Sequence, residues 1–424
     1  MTRIISWRQP LGILILADAV IFSMLYLHKQ PYDYALIPIG LMIVSLVCAS
    51  YLIIIRKGLG DQYLFLVVGM LASIGFAMIY RLDRDYGVKQ AVWLTAGVVL
   101  FFLGYWVYIK IQMWDRLLFY YMAFSVLLFS ATLILGKNIK GATNWIVIGN
   151  QTFQPSELIR ILFIFSLACF FKGSQQFIHN NCRIELNWHR TVKRAAIAIM
   201  AYTFIGFLIL QRDWGSAMLF FMIYFAMLYI FDGGWRFLAL NTGAAIAGAV
   251  GGFLLLYHIR VRVDTWINPW PHIADKGYQI TQSLFAIAAG GFFGTGLGMG
   301  KPEFIPEVNT DFIFSAICEE MGILGGVAVV LLYFILTYRG FKIALTVKDI
   351  FKKAVALGIT SMFGFQTFII IGGVIKLIPL TGITLPFISY GGSSLTTSFI
   401  ALGILQAISA GDYGETEEQA GEGE

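Results

Sequence analysis

The chain has 424 residues, of which 58% are hydrophobic and 13% are charged, and its net charge is +6. A soluble protein of this size has too little interior to hide so much apolar surface, so the excess is expected to face lipid. Nucleic-acid binding is excluded as the reason for the positive charge, because no basic patch is interleaved with exposed aromatic residues. Basic residues of membrane proteins instead set orientation and meet anionic lipid.

Long apolar runs predict about twelve membrane-spanning helices, and therefore an all-α, polytopic membrane protein. The runs are close to the roughly 20 residues that a helix needs to cross the hydrocarbon core. They do not alternate as the strands of a membrane barrel do. The predicted spans are 10–27, 34–55, 63–80, 91–109, 116–135, 156–171, 195–210, 215–231, 236–258, 312–338, 351–378 and 392–411.

An even number of spans places both termini on one side of the membrane. Basic residues accumulate on that side, at Arg3, at Arg56 and in the stretches 172–194 and 339–353. Since cytoplasmic loops carry an excess of lysine and arginine, the sequence predicts that both termini are cytoplasmic.

Two connections predicted on the outward side are unusually long, at 136–156 and 259–311. Connections longer than about 15 residues are usually functional or disordered, and the second is too apolar for disorder. Within it, the helical spacing of 278–289 predicts a short helix that is re-entrant or lies at the membrane surface. The glycine-rich run 290–300 lacks the Gly-Lys-Ser/Thr of a nucleotide-binding loop, and predicts a turn with close backbone approach.

Ionisable side chains inside predicted spans are costly, and each needs a partner or a function. Glu157 and Arg160 lie three residues apart on one helix face, which is consistent with an ion pair or with a contact to a substrate headgroup. Asp213 follows Arg212 at a tight turn, where it is placed to cap the helix that begins near Gly215.

Three more charged positions fall at the outward ends of spans. Asp311 precedes a span, Glu319 lies about two turns deeper, and Lys376 is close enough to the outer end of its span to snorkel. All these groups surround the long connection 259–311. Their convergence predicts a polar, outward-facing cavity that accepts a charged group attached to a lipid.

Four blocks of the sequence resemble the SEDS family, which includes RodA, FtsW and SpoVE. They are NWIVIGNQTFQPSELIR (144–160), QRDWGSA (211–217), the run from WINPWPHIADKGYQ to SAICEEMG (266–322), and IPLTGITLPFISYGGSSL (378–395). The similarity covers about 63–411, in the order that the family shows. It divides the chain into an added N-terminal transmembrane pair (1–62), a ten-helix core (63–411) and a short acidic cytoplasmic tail (412–424).

The resemblance implies an inverting peptidoglycan glycosyltransferase of the bacterial cytoplasmic membrane, which polymerises lipid II on the outer face. It also implies a class B penicillin-binding protein as partner, and leaves elongation, division and sporulation open. The lipid pyrophosphate needs cations, and a divalent cation, Mg²⁺ or Mn²⁺, is one candidate. The candidate substrate-binding residues are Arg160, Arg212, Asp213, Lys301, Asp311, Glu319, Lys376 and Ser393.

The acceptor hydroxyl needs a general base, and here the sequence departs from the family pattern. The resemblance places an aspartate at the position of His272, whereas an aspartate occurs three residues later, at Asp275. Asp275 is the preferred base, and His272 is the alternative, because an imidazole can act as a base near neutral pH. Asp275 is also a suitable turn residue before Lys276 and Gly277.

Two functions from other classes stay open. A flippase or transporter for a lipid-linked precursor would need polar groups in the inner half of the membrane, and there are few. It would also favour internal repeats, and none is evident. The substitution at His272 keeps open a non-catalytic scaffold that activates a penicillin-binding protein.

Overall fold

The computed structural model describes residues 2–28, 32–139, 142–149, 151–175 and 183–421. Within these ranges the chain forms fourteen α-helices, twelve of them with 18 residues or more, and three short strands. The long helices are α1 (Thr2–His28), α2 (Leu36–Arg56), α3 (Gln62–Leu82), α4 (Arg84–Lys110), α5 (Leu118–Leu135), α6 (Pro155–Gln175), α7 (Arg183–Leu210), α8 (Trp214–Phe231), α9 (Trp235–Leu255), α12 (Ile313–Thr346), α13 (Ile350–Val374) and α14 (Gly392–Gly421).

Eleven of the described helices are long and apolar enough to cross a membrane. The prediction of an all-helical, polytopic membrane protein is therefore confirmed. The span predicted at 156–171 forms α6, which is not one of the eleven and which carries Glu157, Arg160 and Lys172. Part of the basic stretch 172–194, at 176–182, lies outside the described residues.

Two short helices occupy the long connection before α12. The helix predicted at 278–289 is present as α11 (Tyr278–Gly290). The other, α10 (Tyr257–Ile267), begins where the sequence predicted the end of a span, and follows α9 after a single residue. The break at Leu256 separates α10 from α9, and Arg262 on α10 reaches the carbonyl of Thr381 at 3.0 Å.

A small antiparallel sheet in the 136–156 connection was not predicted. Its strands are β1 (Lys137–Ile139), β2 (Ala142–Ile148) and β3 (Gln151–Phe153), in the order β1-β2-β3. Strands of three to seven residues leave only a weak pattern in the sequence, although β2 is rich in the β-branched residues that favour strands. The N–H of Thr143 donates to the carbonyl of Gln211 at 3.1 Å, which ties the sheet to the turn before α8.

Helix α12 is broken at Gly322, where φ is 71°. The glycine-rich run before it fills the break, and the N–H of Ile323 donates to the carbonyl of Gly291 at 3.0 Å. A Cβ on Gly294 would lie 2.2 Å from the carbonyl oxygen of Glu320. The loop thus pairs backbone groups that the broken helix leaves open, as lipid surroundings require. The close backbone approach predicted for this run is confirmed.

The sheet, the 256–312 connection and the 375–391 segment meet at one end of the bundle, which we call the outer end. The side chain of Arg262 reaches the carbonyl of Thr381 at 3.0 Å, and the N–H of Tyr390 donates to the carbonyl of Asn309 at 2.9 Å. Helices α3 and α13 and the span of α14 form the centre of the bundle, whereas α9 lies at its edge with 6% of its span buried. The outer end is therefore where irregular backbone and polar side chains concentrate.

Candidate functional site

A cavity of about 330 Å³ lies at the outer end, between α10, α11, the turn before α12 and the segment after α13. Ligand sites typically measure roughly 300–1,000 Å³. We call it the cation cavity because two basic side chains enter its lining. Its charged and polar lining residues are Arg262, Thr265, Lys276, Gln279, Glu307 and Asp311.

Arg262 on α10 anchors one wall of the cation cavity. Its guanidinium donates to the carbonyl oxygens of Leu380 at 3.3 Å and Thr381 at 3.0 Å. Desolvation lowers the pKa of Arg262, and the nearby carboxylates of Asp311 and Asp213 oppose this shift. Since the guanidinium of arginine does not lose its proton in proteins, the side chain stays cationic. Arg262 therefore provides a fixed positive charge between two acidic residues.

Lys276 provides the second positive charge of the cation cavity. Its ammonium donates to the phenol oxygen of Tyr257 at 2.8 Å and lies 5.3 Å from the centre of that ring. The hydrogen bond with Tyr257 raises the pKa of Lys276. A lysine held in this way stays charged at neutral pH and is a suitable partner for a phosphate group.

Two carboxylates, Glu307 and Asp311, come from the turn before α12. Glu307 has a left-handed backbone, with φ of 61°, and its carbonyl accepts the N–H groups of Thr310 and Asp311, both at 3.1 Å. Opposite them, Gly382 has φ of 76°, and a Cβ there would lie 3.4 Å from Asp311 Oδ2. The turn and the 375–391 segment thus approach closely around the carboxylate of Asp311.

His258 fastens α10 to the start of α8. The indole N–H of Trp214 donates to His258 Nε2 at 2.7 Å. Because an imidazole nitrogen accepts only when it is unprotonated, this bond requires the neutral histidine. Desolvation, followed by the positive charges of Arg262 and Arg212, lowers the pKa of His258 and so supports the neutral form.

The two predicted catalytic residues lie on the turn between α10 and α11. Both side chains are exposed, and neither Asp275 nor His272 lines the cation cavity. The N–H of Asp275 donates to the carbonyl of His272 at 3.1 Å, which is the turn geometry that the sequence offered as the alternative. Their link to the cavity runs through Lys276, the residue that follows Asp275.

Arg160 is buried in α6 and does not line the cation cavity. It forms the predicted ion pair with Glu157 at 3.1 Å and donates to Gln366 Oε1 at 2.8 Å. Gln366 in turn donates to the carbonyl of Thr384 at 2.8 Å. Arg160 thus supports the 375–391 segment from below, and its contact with substrate stays a prediction.

Asp213 caps α8, as the sequence predicts. Its Oδ1 accepts the N–H of Ser216 at 3.1 Å, and its Oδ2 accepts the side-chain amides of Asn144 at 2.9 Å and Gln154 at 3.0 Å. The carboxylate therefore joins the small sheet to α8. Arg212 beside it is exposed, with φ of 60°, and does not line the cation cavity.

Glu319 faces the glycine-rich loop and not the cation cavity. Its carboxylate accepts the N–H of Lys301 at 2.7 Å, while the side chain of Lys301 is exposed. The neighbouring Glu320 accepts the N–H of Gly298 at 2.8 Å and pairs with Arg81 at 2.5 Å. The break at Gly322, which the sequence analysis did not include, turns both carboxylates toward the loop.

The remaining predicted residues, Lys376 and Ser393, do not line the cation cavity. Lys376, with φ of 64°, donates to the carbonyl of Ile267 at 3.4 Å, and its own carbonyl accepts the indole N–H of Trp266 at 3.1 Å. Lys376 thus holds the end of α10 to the end of α13. Ser393 is buried in the first turn of α14, where its carbonyl accepts the hydroxyl of Thr397 at 2.8 Å.

Three charged lining residues, Arg262, Lys276 and Glu307, were not predicted as binding residues from the sequence. A signal was present for the first, because Arg260 and Arg262 alternate with the apolar residues Ile259, Val261 and Val263 at the start of the long connection. Of the predicted site residues, only Asp311 lines the cation cavity.

The fold and the cavity define a polytopic helical membrane protein with a polar site at one end. The sequence profile of the cell cycle protein family of FtsW, RodA and SpoVE matches residues 61–413. The chain belongs to this family, which confirms the resemblance drawn from the four blocks.

Several relatives match most of the chain. Over 401 residues it is 32% identical to the peptidoglycan glycosyltransferase RodA of Mycobacterium tuberculosis, covering 91% of this chain and 85% of that protein. Over 378 residues it is 34% identical to stage V sporulation protein E of Bacillus subtilis, covering 84% and 98%.

Solved structures share the fold. A chain from a peptidoglycan synthase complex, in work on the coordination of polymerization and crosslinking, superposes with a TM-score of 0.69 at 28% identity. RodA of Thermus thermophilus superposes with a TM-score of 0.61 at 26% identity. Both matches cover 84% of this chain and 98% of the other.

Proposed function

We propose that this chain is a peptidoglycan glycosyltransferase that polymerises lipid II in the cation cavity. The observation that carries the proposal is the combination of two cations and two carboxylates in one cavity. The relatives add support. RodA of M. tuberculosis is named a peptidoglycan glycosyltransferase, and FtsW of Trichlorobacter lovleyi, which is 33% identical to this chain, is named a probable one.

The reaction needs positively charged groups at the pyrophosphate of the donor and a negatively charged carboxylate at the hydroxyl of the acceptor. Arg262 and Lys276 bind the pyrophosphate of the donor and stabilise the negative charge that develops as it leaves. A carboxylate accepts the proton of the acceptor hydroxyl as the new glycosidic bond forms with inversion. We assign this base role to Asp311, because it lines the cavity near Arg262, whereas Asp275 and His272 are exposed outside it.

A divalent cation, Mg²⁺ or Mn²⁺, is the one cofactor we propose. Mg²⁺ is commonly held by one or two carboxylates together with substrate phosphates, and Glu307 supplies a carboxylate in this cavity besides Asp311, which is assigned as the base. Bound there, the ion would neutralise charge on the pyrophosphate. In the part of the chain that the structure describes, no group of three or more His, Cys, Asp or Glu side chains is placed to hold a metal. The substrate would therefore have to complete the coordination.

We further propose that the outer end faces the outside of the bacterial cytoplasmic membrane, with both termini cytoplasmic. The excess of lysine and arginine at the opposite end supports this orientation. A class B penicillin-binding protein is the proposed partner. The superposition on a chain from a peptidoglycan synthase complex supports such an assembly.

The test is polymerisation of fluorescent lipid II by the purified full-length protein with its partner, read as glycan strands on a gel. Asp311→Asn should lower the rate by about 10²- to 10⁴-fold, as removal of a general base does. Asp275→Asn and His272→Gln should stay near wild type, as should the control Asp264→Asn, an exposed acid on α10. Loss of product with Asp275→Asn alone would move the base to that residue. Absence of product from the intact wild-type pair would refute the proposed function.

A further inference from the structure

A second cavity, of about 480 Å³, lies at the outer end beside the cation cavity. It opens between the α3–α4 turn, the 303–310 segment and Tyr390, and Glu307 lines both cavities. One turn of backbone therefore separates the two spaces. The carbonyl of Asn309 in that turn accepts the N–H of Tyr390 at 2.9 Å, which fixes the wall to the segment before α14.

The second cavity differs from the first in charge. Its lining includes Tyr86, Tyr390, Asn309 and Thr310 together with the carboxylates of Asp83, Glu303 and Glu307. No lysine or arginine is among the lining residues, but Arg81 pairs with Glu303, and Lys89 Nζ lies 5.7 Å from the centre of the Tyr86 ring. The rings of Tyr86 and Tyr390 pack on each other, with centroids 4.7 Å apart. Since Glu303 is paired with Arg81, the carboxylates of Asp83 and Glu307 are the ones that disfavour a phosphate in this cavity, because like charges in a partly desolvated space oppose each other.

A neutral polyol suits this lining. Carboxylates and amide oxygens accept hydrogen bonds from hydroxyl groups, and tyrosines offer an apolar ring with a polar tip. Asp83, Glu303 and Asn309 supply the acceptors, and the tyrosine pair supplies the apolar surface. The volume lies in the range of roughly 300–1,000 Å³ that holds ligands of a few rings.

We propose that this second cavity binds the saccharide of the acceptor strand, while the cation cavity holds the pyrophosphate-bearing donor. The inference rests on the proposed function, since it assigns the two substrates of that reaction to two neighbouring sites. Holding both reactants across one turn converts a bimolecular reaction into an effectively unimolecular one. Glu307, with its left-handed backbone, forms the wall at which the two substrates meet.

Direct binding measurements on the full-length protein in detergent test the assignment without requiring activity. The saccharide probe is a soluble peptidoglycan tetrasaccharide that carries neither lipid nor phosphate, and the second probe is farnesyl pyrophosphate. Tyr86→Ala should weaken tetrasaccharide binding at least tenfold and leave farnesyl pyrophosphate binding unchanged. Arg262→Gln should do the reverse. Tyr229→Ala, an exposed tyrosine on α8, is the control and should change neither affinity.

Asn309→Ala is the second variant, because the side-chain oxygen of Asn309 has no hydrogen-bond partner in the described protein and its loss should cost the fold little. It too should weaken tetrasaccharide binding selectively. If the wild type does not bind the tetrasaccharide, or if Tyr86→Ala and Asn309→Ala bind it as well as wild type, the assignment is overturned. Polymerisation by the wild type in that case would leave the proposed function standing, so the two failures are distinguishable.

Discussion

Replacing Arg262 by glutamine removes the fixed cation of the cation cavity and keeps much of its side-chain length. The guanidinium makes two contacts that glutamine cannot fully replace, to the carbonyls of Leu380 and Thr381 at 3.3 and 3.0 Å. It also lies near the carboxylates of Asp311 and Asp213. The substitution should therefore weaken anion binding and loosen the hold of α10 on the 375–391 segment.

The expected magnitude follows from these contacts. A hydrogen bond between a charged group and its ligand contributes about 1.5–3 kcal/mol. At 1.4 kcal/mol for each factor of ten, this predicts a loss of affinity for the donor of about 10- to 150-fold. Arg262→Lys keeps the charge but loses the planar fork, so its loss of affinity should be smaller than that of Arg262→Gln.

Titration with farnesyl pyrophosphate and the KM for lipid II measure the effect. Arg260→Gln is the matched control, because Arg260 lies two residues away on α10, donates to the carbonyl of Leu254 at 2.9 Å and does not line the cavity. The loss with Arg262→Gln should shrink in high salt, which screens charge interactions. Equal affinities for Arg262→Gln, Arg260→Gln and wild type would refute the assignment of the pyrophosphate to this cavity.

Three further predictions follow from single contacts. Because the pKa of His258 is lowered in the folded protein, the unfolded chain binds more protons between that pKa and about 6.5. Thermal stability should therefore rise with pH across this window, and His258→Asn should flatten the plot of thermal stability against pH. Asp213→Ala should cost about 1–2 kcal/mol through loss of the α8 cap, seen as a lower thermal inactivation midpoint, and Asp213→Asn should cost less. Gly294→Ala should abolish detergent-stable protein, because its Cβ would lie 2.2 Å from the carbonyl oxygen of Glu320. Gly248→Ala should be tolerated, because a Cβ there would have no neighbouring atom within 4 Å. Equal yields of the two variants would contradict this prediction.

Features that depend on neighbours along the chain could be predicted from the sequence. The Glu157–Arg160 pair and the Asp213 cap need only the spacing of one helix turn, and α11 shows its spacing directly. The long apolar runs fix the spans for the same reason, since each must satisfy its own backbone in lipid.

Features that depend on where distant segments meet could not be predicted. Arg262 lines the cation cavity only because the chain turns at residue 256 and lays α10 against the 375–391 segment. Glu319 looked like a cavity residue from its depth in a span, but the break at Gly322 turns it toward the N–H of Lys301. Neither the turn nor the break is marked by helical periodicity, which reports the face of a helix and not its partners.

The backbone of the outer end gives an independent reason to place function there. Among the described residues, the non-glycine residues with positive φ are Arg212, Glu307, Lys376 and Phe387, and all four lie in the connections of the outer end. Such conformations cost about 1–3 kcal/mol each and persist only where the surroundings hold them, which is typical of ligand sites. Two of these residues are held by hydrogen bonds. The carbonyl of Glu307 accepts three backbone N–H groups, and Lys376 bonds to α10 through both its ammonium and its carbonyl. A fold selected for stability alone would favour glycine at such positions. Of the four residues, Glu307 lines both cavities, and its side chain there is better explained by a role at the two sites than by stability.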